Sequence, residues 1–124
     1  MDMHFRNACY NGDLDYITKM INKDLHFYKH YQYNLLNPIF LVSSRGHLDC
    51  LQFLIRIIPF SYHCWLDCVL ISCVSGHDTI LDFLFSLKVN FDKNDEKLKY
   101  AVQRSLYYNH YTCSTILQNH GIFS

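Results

Sequence analysis

The stretch Asn11-Gly12-Asp13-Leu14-Asp15-Tyr16-Ile17 returns as Arg45-Gly46-His47-Leu48-Asp49-Cys50-Leu51 and again, with more drift, as Ser75-Gly76-His77-Asp78-Thr79-Ile80-Leu81. The glycines stand 34 and then 30 residues apart, and a further step of 33 reaches Asn109 in Tyr108-Asn109-His110-Tyr111-Thr112-Cys113. Asn is the residue after Gly that best tolerates a left-handed backbone, so the replacement keeps the turn. A motif recurring at this interval marks a chain built from copies of one supersecondary unit.

The residues flanking each anchor repeat in kind. Four positions before it stand Ala8, Val42, Ser72 and Ser105, and three before it Cys9, Ser43, Cys73 and Leu106. Apolar or Cys residues recur four, five and eight positions after it: Tyr16, Ile17 and Met20; Cys50, Leu51 and Leu54; Ile80, Leu81 and Leu84. That spacing is helical. The fourth copy is looser, with Cys113 and Leu117 in place and Ser114 out of pattern, and Gly121 sits where a helix C-terminal glycine would end the chain's last helix. Each copy therefore reads as a short helix ending near the anchor, a tight turn, and a longer second helix. Small residues on the first helix let the second approach closely. A lone hairpin of this kind cannot bury its apolar face, so an all-α stack of about four hairpins is expected, in one domain spanning 1-124 with approximate units 1-34, 35-64, 65-97 and 98-124.

Composition agrees with a single folded domain. The chain has 124 residues, 50% of them hydrophobic and 18% charged, with 11 basic and 11 acidic side chains. Zero formal net charge lacks the basic field of a nucleic-acid binder, and the apolar fraction is too high for a disordered chain. No apolar run reaches a membrane span of about 18 residues: the longest candidate, around Leu51 to Phe60, is broken by Gln52, Arg56 and Pro59. The Met1-Asp2-Met3-His4-Phe5-Arg6 start carries no secretory signal, so the six cysteines are expected as thiols in a reducing, cytoplasmic compartment.

The second copy carries a family resemblance. Asn37-Pro38-Ile39-Phe40-Leu41-Val42-Ser43-Ser44-Arg45-Gly46-His47-Leu48-Asp49 resembles the ankyrin repeat, whose unit of about 33 residues opens on T-P-L-H-x-A and turns on a later Gly-His. The copies from Phe5 to Ile21 and from Val69 to Phe85 keep the turn and second helix and lose the Thr-Pro. Three residues are missing between the second and third anchors and Pro59 follows the second helix, so the hairpin finger there is expected to shrink to a plain loop. The Cys/Tyr/His-rich texture looks like the repeats of large DNA viruses, such as poxvirus ankyrin proteins or asfarvirus multigene-family proteins.

The resemblance implies an ankyrin-like solenoid with reduced fingers. It also implies a non-enzymatic module that binds another protein on a concave face of first helices and loop tips, with no cofactor, nucleic acid or membrane. The exposed positions of that face are those just before each anchor: Tyr10 and Asn11, Ser44 and Arg45, Val74 and Ser75, Tyr107 and Tyr108. Tyr and Arg are the residue types that carry most interface energy. The viral texture implies modulation of host cytoplasmic signalling. A second reading, from the apolar ends at Phe5 and Ile122-Phe123, is a self-associating structural protein that dimerises through uncapped repeats; the chain is thus a monomer or a homodimer.

Other residue groups could carry chemistry. Cys64, Cys68, Cys73 and His77 offer three thiolates and an imidazole for zinc, but the repeat register puts Cys73 at the small buried position and His77 at the turn, which favours free thiols and no metal. His63 beside Cys64, or His110 near Cys113, would need a third orienting group to make a nucleophile, and no phosphate loop or nucleophile elbow accompanies them. The aromatic run from His26 to Tyr33 falls in the first linker, where it suits a protein-contacting loop better than a base-stacking platform.

Overall fold

A computed structural model describes residues 3–24 and 37–124; the aromatic run from His26 to Tyr33 lies outside the described residues. The described residues hold eight helices and no strand: α1 (Met3–Asn11), α2 (Leu14–Lys23), α3 (Pro38–Ser44), α4 (Leu48–Leu54), α5 (Tyr62–Ser75), α6 (Asp78–Ser86), α7 (Glu96–Tyr107) and α8 (Tyr111–Asn119). The expectation of an all-α chain of helix pairs is met, and each pair is joined at one of the four sequence anchors. The chain divides into two compact units, Met1–Phe60 and Ser61–Ser124. In the first, α1 packs on α3 and α2 on α4; in the second, α5 packs on α7 and α6 on α8.

The turns explain the repeat. Gly12, Gly46, Gly76 and Asn109 have φ of 74°, 78°, 75° and 63°, all left-handed. At each, the amide of the following residue reaches back over the turn to a carbonyl at the end of the first helix. Asp13 donates to Ala8 (2.8 Å), His47 to Val42 (2.9 Å), His77 to Ser72 (2.9 Å) and His110 to Ser105 (2.7 Å). This is the six-to-one bond of a glycine-terminated helix, and its acceptors are the small or branched residues four positions before the anchor. Gly121 ends α8 the same way, with Ile122 donating to Leu117 at 3.1 Å.

Four helix starts, those of α2, α3, α5 and α7, follow from short polar side chains. Asp13 accepts from the Tyr16 amide at 3.1 Å. Asn37 accepts from Ile39 at 2.8 Å, with Pro38 in the first turn, where it gives up no hydrogen bond. Ser61 caps α5 through Cys64 at 3.1 Å, and Asp95 caps α7 through Lys97 at 2.9 Å, with Glu96 in the first turn, where a negative charge suits the positive helix end.

The periodic positions are the core. Ile17, Cys50, Leu51, Leu54, Ile80, Leu81, Leu84 and Leu117 are all fully buried, and Tyr16 and Met20 half-buried. Ser114, which breaks the apolar pattern, is buried all the same, because the helix face and not the residue type sets what α8 turns inward. Of the positions three before the anchor, Cys9, Ser43 and Cys73 are buried, but Leu106 is exposed. The segments 55–61 and 87–95 are loops without strand.

Two expectations fail. The second helix is the longer in the first pair alone, 10 residues in α2 against 9 in α1; α3 and α4 have 7 each, and in the second unit the order reverses, with 14 in α5 against 9 in α6 and 12 in α7 against 9 in α8. Pro59 stops the chain before Ser61 caps a new start, and α5 then carries Trp65 inward, where its indole donates to the Leu84 carbonyl at 3.0 Å and packs on Phe85 and Phe91. That anchor stabilises an extra turn ahead of the repeat. The apolar ends also differ from expectation: Phe5 is 1% exposed and Ile122 0%, leaving Phe123 as the exposed residue of the three. Ile122 follows the αL residue Gly121, the position whose side chain packs back on the helix it terminates.

Candidate functional site

The three turn histidines sit at the N-caps of α4, α6 and α8 without capping their own helices. In each unit one of them joins two hairpins. His47 Nε2 lies 2.8 Å from the Tyr10 carbonyl, and His110 Nδ1 lies 2.8 Å from the Cys73 carbonyl. A carbonyl only accepts, so the proton is on Nε2 of His47 and on Nδ1 of His110. The rings occupy the space beside the preceding anchor: a Cβ on Gly12 would come within 2.5 Å of His47 Nδ1, and one on Gly76 within 2.8 Å of His110 Nε2. These glycines are required by close approach as well as by φ. His77 occupies the corresponding turn position as the N-cap of α6.

The hairpin ends place the expected partner-binding residues unevenly. Tyr10, Asn11 and Arg45 are exposed in the first unit, while Ser44 is half-buried with its hydroxyl donating to the Leu41 carbonyl at 2.8 Å. Tyr10 and Arg45 come together: the guanidinium sits 4.1 Å from the ring centroid. In the second unit Val74 and Ser75 are half-buried, and Tyr107 and Tyr108 are exposed, edge to face at 5.0 Å.

Around that pair the sequence reading missed the centre of the arrangement. Arg104, one helical turn earlier on α7, lies 4.5 Å from the Tyr107 ring, 5.0 Å from Tyr108 and 5.7 Å from Tyr100. Its Nη2 donates to the Tyr108 hydroxyl at 2.9 Å. Leu106 and Tyr111 are exposed beside it in sequence, and the Tyr111 hydroxyl donates to Asn109 Oδ1 at 2.9 Å. The signal was present, since Tyr100, Arg104, Tyr107 and Tyr108 fall at the i, i+4, i+7 and i+8 positions of one helix face. A guanidinium over aromatic rings still has in-plane N–H donors, and with one Nη2 donor taken by Tyr108 the others remain for a partner, so the arrangement offers aromatic faces for packing beside hydrogen-bond donors.

A shallow cleft of about 240 Å3 lies next to this surface, lined by Gly76, Asp78, Asn109, His110, Tyr111, Thr112 and Cys113. Its walls are the two turns of the second unit, and Cys113 within it is buried, its thiol 3.9 Å from the Ser72 carbonyl.

The cysteines serve the interior. All six are free, and Cys64 alone is partly exposed. Burial, together with the neighbouring Cys50, pushes the Cys9 thiol up to about 12; burial and then Asp49 do the same for Cys50. Cys73 is raised by its hydrogen bond with Cys113 and by burial. Cys64 is lowered by a hydrogen bond from Cys68, one turn along α5. Among the described residues no group of three or more His, Cys, Asp or Glu is placed to hold a metal ion, and no helix is long and apolar enough to cross a membrane.

Comparison with known protein families, with characterised proteins and with solved structures finds no match to this chain.

Proposed function

We propose that the chain is a non-enzymatic, ankyrin-like repeat protein that binds another protein through its turn tips and the C-terminal ends of its first helices, in a reducing cytoplasm. The observation that carries this reading is the exposure of large aromatic side chains with ring-stacked arginines at the turns, Tyr10 with Arg45 and Tyr107 and Tyr108 with Arg104. Tyr buries much area at low entropic cost, and Tyr and Arg are among the residue types enriched in interface hot spots. The turn chemistry and the side-by-side packing of hairpins within each unit support the ankyrin-like reading, and the six free thiols suit a reducing compartment. A role in modulating host signalling rests on the resemblance in texture alone. The dimer reading has lost the burial argument at Phe5 and Ile122, which are spent on the protein's own core.

The test is capture of partners from a cell lysate by the wild-type chain beside a variant carrying Arg45→Glu, Tyr107→Ala and Tyr108→Ala, with circular dichroism showing that the variant stays helical. A protein retained by the wild type and lost by the variant, then reconstituted from purified components, is the expected result. Equal retention by both chains would refute the assignment of these turns.

A further inference from the structure

The charges of this neutral chain are not spread evenly. From Lys97 to Ser124 there are three cations, Lys97, Lys99 and Arg104, and no Asp or Glu at all. Lys97 is consumed by an ion pair with Asp67, its Nζ 2.6 Å from Oδ1. Arg104 is not consumed: among the described residues it makes no ion pair, and its contacts are the three tyrosine rings and the Tyr108 hydroxyl. From the adjoining α6, Asp78 lines the cleft together with Tyr111, but it forms no ion pair with Arg104. The exposed end of the α7–α8 hairpin thus combines one guanidinium held among rings and large apolar area from Leu106, Tyr107 and Tyr111, while the one acid of α7 and α8, Glu96, stands at the opposite end of α7.

We infer that this surface takes an acidic peptide segment of another protein, a carboxylate meeting the outward edge of Arg104 and an adjacent apolar side chain lying on the rings of Tyr107 and Tyr108. This rests on the protein-binding reading above and names its partner class. Charge complementarity selects the occupant: a second copy of this hairpin would bring like charge to like, and a basic segment would be repelled. Nucleic acid is disfavoured by number, because backbone binding draws on many phosphate contacts and this surface offers one guanidinium. Stacking matters to the chemistry. The ring contacts and the hydrogen bond to the Tyr108 hydroxyl restrict the Arg104 side chain before the partner arrives, so less rotamer entropy is lost on forming the two parallel N–H···O bonds that a carboxylate accepts.

The experiment uses the full chain and three fluorescein-labelled probes: a short peptide of alternating Glu and Leu with Gly spacers, its counterpart with Gln for Glu, and oligothymidylate. Binding is read by anisotropy at low and at physiological salt. The expected result is a preference of about tenfold or more for the Glu peptide over the Gln peptide. Arg104→Ala removes that preference, Arg104→Lys keeps part of it, and Arg56→Ala, a cation in the other unit, leaves it intact. Trp65 fluorescence confirms that each Arg104 variant remains folded. Equal binding of the Glu and Gln peptides overturns the acidic class while leaving a protein-binding surface standing, and loss of both in Tyr107→Ala would show that directly. A Glu preference that survives Arg104→Ala overturns the assignment, as does tighter binding to oligothymidylate or no binding of either peptide.

Discussion

Replacing Gly76 with Ala should destabilise the second unit by about 2–3 kcal/mol, and replacing Gly121 with Ala by only about 1–2 kcal/mol, although both residues are left-handed at helix ends. Their φ values are 75° and 82°, so the backbone cost of a Cβ is shared and comes to about 1–2 kcal/mol. The surroundings differ. At Gly121 the nearest atom to an added Cβ is Lys93 Cδ at 3.8 Å, an ordinary contact with a flexible chain. At Gly76 the Cβ would meet three atoms of the His110 ring at 2.8 to 3.0 Å. That ring cannot swing aside without giving up its bond to the Cys73 carbonyl, which adds about 1 kcal/mol. Urea unfolding followed by the fluorescence of Trp65, the chain's single tryptophan, reports on this unit. Asn sharpens the comparison because it tolerates the left-handed region: Gly121→Asn should be nearly neutral, whereas Gly76→Asn keeps the collision. In a His110→Ala background the excess at Gly76 should vanish, giving a coupling of about 1 kcal/mol, and the substitution removes no helix cap because His110 makes none. Equal costs at the two glycines, or an excess that persists without His110, would refute the claim that the histidine is what the glycine makes room for.

Further outcomes follow from the core. Leu51→Ala and Leu81→Ala, both at fully buried periodic positions, should each cost about 2–5 kcal/mol by urea denaturation followed by circular dichroism, and tolerance of both would mean that the repeat register is wrong. Alkaline stability should depend on the buried thiols. Cys9 and Cys50 are raised from 9.0 to about 12 in the fold, so the unfolded chain loses these protons first. The stability they confer is complete below pH 9 and drains away between pH 9 and pH 12. Cys9→Ala should flatten that decline in a pH series of unfolding midpoints, and an unchanged slope would contradict it.

The parts of this protein written into single residues are those that depend on local backbone physics. Four left-handed anchors, the C-terminal Gly121 and the inward stripe of Leu and Ile could be placed from the sequence, because turn conformation and helical period act within a few residues of chain. Even the substitution of Asn109 for Gly was readable. The candidate surface was half legible. Tyr10, Arg45, Tyr107 and Tyr108 were picked out by their position before an anchor, but Arg104, around which the second cluster is organised, was not. Val74 and Ser75, chosen by the same rule, are half-buried, since equivalent turn positions are covered to different degrees by their surroundings.

Sequence by itself thus determined that this chain is helical, where its hairpins turn, and which faces go inward, since a left-handed φ and a 3.6-residue period are properties of short segments. Tertiary structure alone decided the rest. The length of α5 depends on what Trp65 finds across the unit at Leu84, Phe85 and Phe91. His47 and His110 acquire their partners only when hairpins 37 residues apart in sequence come to lie side by side. The same holds for Phe5 and Ile122, apolar near the ends of the chain yet buried. Contacts of this kind are made between segments, and a residue's identity does not say which distant surface will be there to receive it.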